Sequence, residues 1–276
     1  DYIAMLRTLP FNRLSMGIQT FNESILKVLQ RRHTARQAIE AFQNCRAAGF
    51  QNISIDLMYG LPGETLSTWQ QDLDQALLLH PEHLSAYHLI YEEDTVLWKL
   101  REQHKVEEAD EDLSVSLFST LIDRLTSEGY DHYEISNFSL PGLYSRHNSS
   151  YWTEKKYLGC GPSAHSYNGV SRQWNVASLD TYIKGISAGT PVFEIEELDL
   201  YTRYNDFVIT RIRTEWGMPL SKLRDEFGEK LYDYCLRMAA PHLKQGTLEL
   251  VNDILKLTRK GIFISDGIMS DMLWTD

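Results

Sequence analysis

The chain has little cysteine, no long apolar run and a shortage of positive charge, and each deficit excludes something. Its three cysteines, Cys45, Cys160 and Cys235, lie far apart, so neither a disulfide framework nor a CxxC metal knuckle is available. A reducing cytoplasm is the expected setting. No apolar stretch approaches the roughly 20 residues needed to span a bilayer. The opening DYIAMLRTLPFNR lacks the basic and apolar regions of a signal peptide. Acids outnumber Lys and Arg by 38 to 27, a formal net charge of −11. That balance speaks against non-specific nucleic-acid binding, which depends on counterion release by basic side chains. His33, His80, His83, His88, His104 and His132 fall into no HxxxH or HExxH spacing.

What is present is the material of a globular protein: 43% apolar and 24% charged residues over 276 positions, enough for one large domain or two ordinary ones. The first third alternates strands and helices. RLSMGIQTF (Arg13–Phe21) alternates like a strand, and Asn22 caps a helical stretch that Gly49 stops, with a break expected near His33–Thr34. NISIDLMYG is the next strand, and Ser67 is the expected cap of the helix after it. HLSAYHLIY is a third strand, a helix over 107–128 follows, and YDHYEISNF makes a fourth strand. Strands separated by helices predict βαβ units and a parallel sheet or barrel, whose working residues sit past the strands' C-terminal ends. Gln19, Asp56, Tyr59, His88 and Glu92 fall at or near that edge, where polar residues also serve as ordinary helix caps.

Residues 133–169 are the odd segment. Tyr133, Phe138, Tyr144, Tyr151, Trp152 and Tyr157 are more aromatic than a surface loop requires, and His147, Asn148 and His165 are more polar than a core allows. A hairpin turning at Asn168-Gly169 follows, then a Ser-capped helix over SLDTYIKGISAG. Beyond it, helices are expected over 198–214, 220–227 and 229–244. Two short strands around Asn252-Asp253 and Lys260-Gly261 and a last helix complete a winged-helix-like pattern. No basic stripe runs along these helices, so a packing or protein-interaction module is expected instead of a DNA reader.

RLSMGIQTF, NISIDLMYGLPGET, YEISNF, RHNSSYW and GCGPSAHSY together resemble the radical S-adenosylmethionine proteins related to oxygen-independent coproporphyrinogen III oxidase. The HNSSYW stretch is similar to the HNxxYW of their haem-chaperone branch. The resemblance runs from about Arg13 to the C-terminal module. It implies an α/β fold: a partial (β/α) barrel of the radical SAM type over 1–190, followed by a small helical, winged-helix-like domain over 191–276. It implies S-adenosylmethionine contacts at Gln19, Arg31 and Asp56, with apolar and backbone contacts near Met58 and Ile90. Taken alone, Arg31 reads more readily as a solvated helix charge and Asp56 as a helix or turn cap. A [4Fe-4S] cluster belongs to such a parent, yet the CxxxCxxC motif that would hold it is not in this chain. The sequence is therefore expected to be a C-terminal portion of a longer protein, without radical chemistry of its own.

In the chaperone branch the cargo is haem, with the histidine of HNxxYW as the proposed axial ligand. His147 takes that position, Tyr151 and Trp152 would wall the porphyrin, and Asn148 or Tyr144 would orient the imidazole. His165, on the glycine-rich loop, is the second candidate and Cys160 a weaker one. The bland reading is that His147 bonds a loop carbonyl beneath aromatic packing. Three functions follow as expectations: a haem-transfer chaperone serving apo-haem-protein acceptors; an oxidase whose parent decarboxylates coproporphyrinogen III to protoporphyrinogen IX with a 5′-deoxyadenosyl radical; and a scaffold that binds neither ligand.

Overall fold

The computed structural model describes residues 2–275. They divide into two compact units, one running up to Ser145 and the other from Arg146 onward. The change of character read at residue 190 falls inside the second unit.

In the first unit α1 (Tyr2–Thr8) precedes β1 (Leu14–Gln19). The Asn22 side chain accepts from the Ser24 and Ile25 amides to open α2 (Glu23–Val28), and Thr34 restarts the chain as α3 (Ala35–Ala47) through a capping box with Gln37. The break expected near His33–Thr34 is there. β2 (Ile53–Tyr59) leads into α4 (Leu66–Leu78), whose cap is Thr65 with Thr68 and not Ser67, because the reciprocal pair needs a hydroxyl just ahead of the helix. Next come β3 (His83–His88) and α5 (Val96–Glu102), which the sequence reading did not single out. α6 (Glu111–Ser127) follows, and its start is set by Asp110 accepting from the Leu113 amide. The expected fourth strand is instead a hairpin, β4 (Asp131–Glu134) and β5 (Asn137–Ser139). Its turn carries no glycine signal. Asn137 donates to the Glu134 carboxylate across it, and the register slips at Tyr133.

These strands form one open sheet in the order β1-β2-β3-β5-β4, with the first three parallel and β5 antiparallel to β3. Alternation gives its two sides different chemistry. Ile53, Ile55, Leu57, Leu84 and Phe138 are fully buried on one side. The helical layer contributes Trp69, which donates its indole N–H to the Leu117 carbonyl at 3.0 Å. Each such side chain contributes on the order of 1.5–3 kcal/mol. The other side is polar. In register across the sheet stand Gly17, Asp56, Ser85, Asn137 and Glu134, and one pleat away stand Ser54, His83 and Ser139.

The second unit opens with α7 (Arg146–Trp152), in a segment read from sequence as loop. The hairpin β6 (His165–Tyr167) and β7 (Ser171–Asn175) reverses where Asn168 accepts from the Val170 and Ser171 amides. Ser178 caps α8 (Leu179–Ser187), and β8 (Phe193–Glu197) pairs with β7 to complete a three-stranded sheet. Then follow α9 (Leu200–Ile212), β9 (Met218–Pro219) and α10 (Leu220–Gln245), which bends at Gly228 and so corresponds to the two helices expected there. β10 (Leu248–Val251), β11 (Ile254–Leu257), α11 (Arg259–Ile262) and α12 (Ser265–Met272) close the chain. The two strands flank Asn252-Asp253, which is the turn between them, and Lys260-Gly261 is helical because Thr258 caps α11. Helices around the small β10-β11-β9 sheet make the winged arrangement, on a core of Tyr204, Phe207, Leu223 and Met272.

Candidate functional site

Two groups of the expected residues come together, one in each unit. In the first, β1 ends at Gln19 in a left-handed conformation (φ 72°), uncommon for a residue with a Cβ. The Arg31 guanidinium, just past α2, donates to the Gly17 carbonyl at 3.2 Å. A Cβ on Gly17 would lie 2.7 Å from Gln19 Nε2 and 3.4 Å from Arg31 Nη2, so both side chains converge over that bare backbone. Asp56 pairs with Gly17 in register and accepts from Ser15 Oγ at 3.3 Å. Burial pushes its carboxyl above the usual range, against hydrogen bonds from Ser85 and Ser15 and the charge of Arg13. Met58 packs against the Ile25, Leu61, Leu89 and Tyr91 cluster, whereas Ile90 is 76% exposed. Ser15, Gly17 and Ser85 were not singled out in the sequence. The signal was the polar alternation of Ser54 with Asp56 and of His83 with Ser85, masked by the apolar alternation on the opposite side.

An amide, a guanidinium and a carboxylate around a glycine cradle fit S-adenosylmethionine in donor chemistry. The iron-sulfur cluster is another matter. Cys45 and Cys235 are buried, Cys160 is exposed, and burial raises the Cys235 thiol to about 11. Among the described residues no three His, Cys, Asp or Glu side chains gather as metal ligands. The described side chains do not fit a cluster.

In the second unit α7 turns HNSSYW into a surface with two faces. His147 and Tyr151 stand four residues apart on the exposed one, with Tyr151 Oη 3.1 Å from His147 Nε2 and the rings nearly perpendicular at 5.2 Å. Aromatic contact continues through Tyr157, 4.9 Å from Tyr151, to Tyr167 at 6.1 Å. Asn148 is half-buried. Trp152 turns inward beneath the Arg213 guanidinium at 4.3 Å, and its indole N–H is buried without a partner. Tyr151, Trp152, Tyr157 and Tyr167 border a pocket of about 160 Å³ that also takes in Arg172 and Asp206, while His147 and Asn148 lie outside its lining. His165 lies elsewhere, exposed on β6. It faces Trp174 across the strand pair at 6.0 Å, over a separate cleft of about 360 Å³ walled by Val176, Val192 and Phe193. The Tyr144 hydroxyl donates to Asp131 at 2.8 Å, within the first unit.

The comparisons with known proteins agree with this architecture. Residues 1–76 match the Radical SAM superfamily, and residues 198–264 match the HemN C-terminal domain. The fold is similar to the solved structure of Escherichia coli coproporphyrinogen III oxidase (HemN), a radical SAM enzyme, with a TM-score of 0.80 at 22% identity, covering 99% of this chain and 66% of that one. Fold and domain content therefore define a radical SAM-type protein with a HemN-like C-terminal domain. The sequence is 31% identical to the heme chaperone HemW of Lactococcus lactis, over 100% of this chain and 73% of that protein. It is 31% identical to heme chaperone HemW of Mycobacterium tuberculosis, over 99% of this chain and 68% of that one. The chain belongs to the HemW haem-chaperone family of radical SAM-related proteins.

Proposed function

We propose that this chain is a haem carrier whose cargo is ligated through His147. The reading rests on one observation above all: an exposed imidazole on α7, held at 3.1 Å by the hydroxyl of Tyr151, with a run of tyrosine rings beside it. Membership of a haem-chaperone family supports it. In the tautomer with Nε2 unprotonated, the lone pair that meets Tyr151 is the one an iron would take, so ligation exchanges a tyrosine for a metal. Tyr151 then both orients the empty imidazole and competes with the iron. A single imidazole on an open helix face is a weak, replaceable ligand, as a carrier requires. An acceptor apo-protein with a fuller ligand set would draw the haem away. Tyr151, with Tyr157 beside it, offers the apolar surface for the macrocycle, Trp152 turns inward and with Asn148 supports the helix from its other face, and His165 with its own cleft is the second candidate ligand.

Gln19, Arg31 and Asp56 would hold S-adenosylmethionine, together with Met58 and Ile90. When bound in a cluster-bearing protein, S-adenosylmethionine supplies an organic radical. The chain's own part is to clamp a carboxylate with Arg31, accept ribose hydroxyls at Asp56 and fix an amide contact at Gln19. A reducing compartment suits three unpaired cysteines.

The test is a haemin titration of this chain and of His147→Ala, followed at the Soret band. Saturable one-to-one binding that weakens at least tenfold in the variant is expected. Equal binding by both would move the ligand to His165 or reduce the signal to adsorption on aromatic surface.

A further inference from the structure

A helix of seven residues is too short to hold itself together in water, where isolated helices need roughly 12–15 residues even to be marginal. α7 has seven and buries none of them fully, so its orientation, and with it that of His147, must come from what grips it. The grip is at its C-terminal end. Lys155 N–H closes back on the Ser150 carbonyl at 3.1 Å, and Glu154 stops the helix in a left-handed conformation (φ 56°). The Glu154 carboxylate then accepts from two cations of the winged module: Arg211 near the end of α9 at 2.9 Å, and Lys222 in the first turn of α10 at 2.7 Å. Glu154 and Arg211 side chains are only 18% and 13% exposed. Both cations lie over the fully buried Phe207 ring, at 5.5 and 5.2 Å, so the carboxylate is fastened to the module's core. Trp152, stacked under Arg213, makes a second point of attachment.

From this geometry we infer that Glu154 is the positioning residue of the His147 helix, and that the winged module serves as the mount that sets the angle of the imidazole. The inference rests on the haem reading above. It also gives the HemN-like C-terminal domain a use that needs neither nucleic acid nor a partner. The mechanism is a cantilever: the anchor is the Glu154–Arg211–Lys222 cluster, and the exposed end carries the ligand. Without Glu154 the Arg211 guanidinium, 13% exposed, loses its carboxylate beside the Lys222 ammonium. Lys222 is 42% exposed and keeps only Glu226 at 4.0 Å, so two like charges face each other over Phe207 and release of the segment is favoured. Arg211 already carries a buried Nε with no partner.

The experiment compares the whole chain with Glu154→Ala, Glu154→Gln and His147→Ala by haemin titration, by the low-spin absorption signature of the bound iron, and by amide hydrogen exchange. Glu154→Ala is expected to weaken haemin binding about tenfold and broaden the low-spin signature. It should also speed exchange over residues 147–152 at least tenfold while the rest of α9 and α10 keeps wild-type protection. Glu154→Gln, which keeps an acceptor for both cations, should fall between the two. Wild-type affinity, signature and exchange in Glu154→Ala would overturn the inference. So would faster exchange spread evenly over the unit, since that marks a merely structural residue. If His147→Ala also binds haemin like the wild type, the cargo reading itself has failed. If only His147→Ala loses haemin, the reading stands and the mount is wrong.

Discussion

Glu64 has one carboxylate oxygen in two hydrogen bonds and the other in none. Oε2 accepts from the Gly60 amide at 2.6 Å and the Leu61 amide at 3.2 Å, while Oε1 is buried without a partner. Burial, with the charge of Asp72 adding to it, pushes the group up to about 7 despite both amides. Folding therefore favours the protonated form, and its contribution is full below the unfolded value and lost as pH rises to about 7. His83 works in the opposite sense. Bonded to Ser54 and Tyr133 and wholly buried, it is pushed down to about 3, so it opposes folding increasingly as pH falls below its ordinary 6.5. The two slopes offset each other over their overlap, leaving Glu64 alone to lower stability near neutrality. Glu64→Gln keeps an acceptor for Gly60 and Leu61 and removes the charge. It is expected to raise stability at pH 8 by roughly 1–3 kcal/mol, little at pH 4, read from urea unfolding at both. An equal gain at the two pH values would exclude ionisation as the cause. Residues of this kind are hard to read from sequence, because GLPGET shows a turn but not which carboxylate oxygen is left alone. Gln19 and Arg31 were singled out through resemblance. Their meeting over Gly17 needed the left-handed turn at Gln19 and the break between α2 and α3. The pairing of His147 with Tyr151 is a four-residue spacing, visible only once 146–152 is taken as helix.

Elements succeed or fail at their contacts, and two glycines in the last helices show it. A Cβ on Gly261 of α11 would come within 1.9 Å of the Thr247 carbonyl oxygen, in backbone that cannot swing aside. One on Gly267, inside α12, would meet nothing within 4 Å. Gly261→Ala is therefore expected to destabilise by roughly 1–3 kcal/mol, and Gly267→Ala to stabilise by about 0.5–1 kcal/mol. Thermal melts of both variants decide the matter, and a loss in each would mean that α12 packs more tightly than it stands here. The same dependence on contact explains which elements were legible. β1, β2 and β3 carry strong apolar alternation and were found; α3 carries its own capping box and was bounded correctly. α7 was missed because HNSSYW buries no residue completely and shows no apolar period. β8 was missed because the alternation of Phe193 and Ile195 with Glu194 and Glu196 is too short to stand out and none of its five residues is buried. The β4–β5 hairpin was missed because its turn is held by Asn137 and Glu134 side chains in place of a glycine signal.

At the scale of the whole molecule, a winged arrangement in a chain of net charge −11 poses a plain question about nucleic acid. Binding duplex DNA means neutralising phosphates with basic side chains that are at liberty to reach them. Of the five Lys and Arg of α10, the long helix of the module, all but Lys244 in its last turn are committed elsewhere. Lys222 holds Glu154; Arg224 pairs with Glu229 at 3.2 Å and lies over Tyr232 at 3.8 Å. Lys230 donates to the Tyr201 hydroxyl and sits 4.5 Å over the Trp274 ring, and Arg237 lies over Tyr234 at 5.3 Å. Asp225, Glu226, Glu229 and Asp233 on the same helix offset what remains. A helix four of whose five cations already face aromatic rings or carboxylates would have to break those contacts before meeting a phosphate. Fluorescence anisotropy with a labelled duplex at about 50 mM salt, where electrostatic binding is strongest in practice, is expected to show no saturable association. Binding that falls steeply with added salt would overturn this account and turn the module from a mount into a reader. The two outcomes also bear on Lys222 directly. As a phosphate contact it would be released from Glu154 when DNA is added; as part of the mount it keeps its carboxylate with or without DNA.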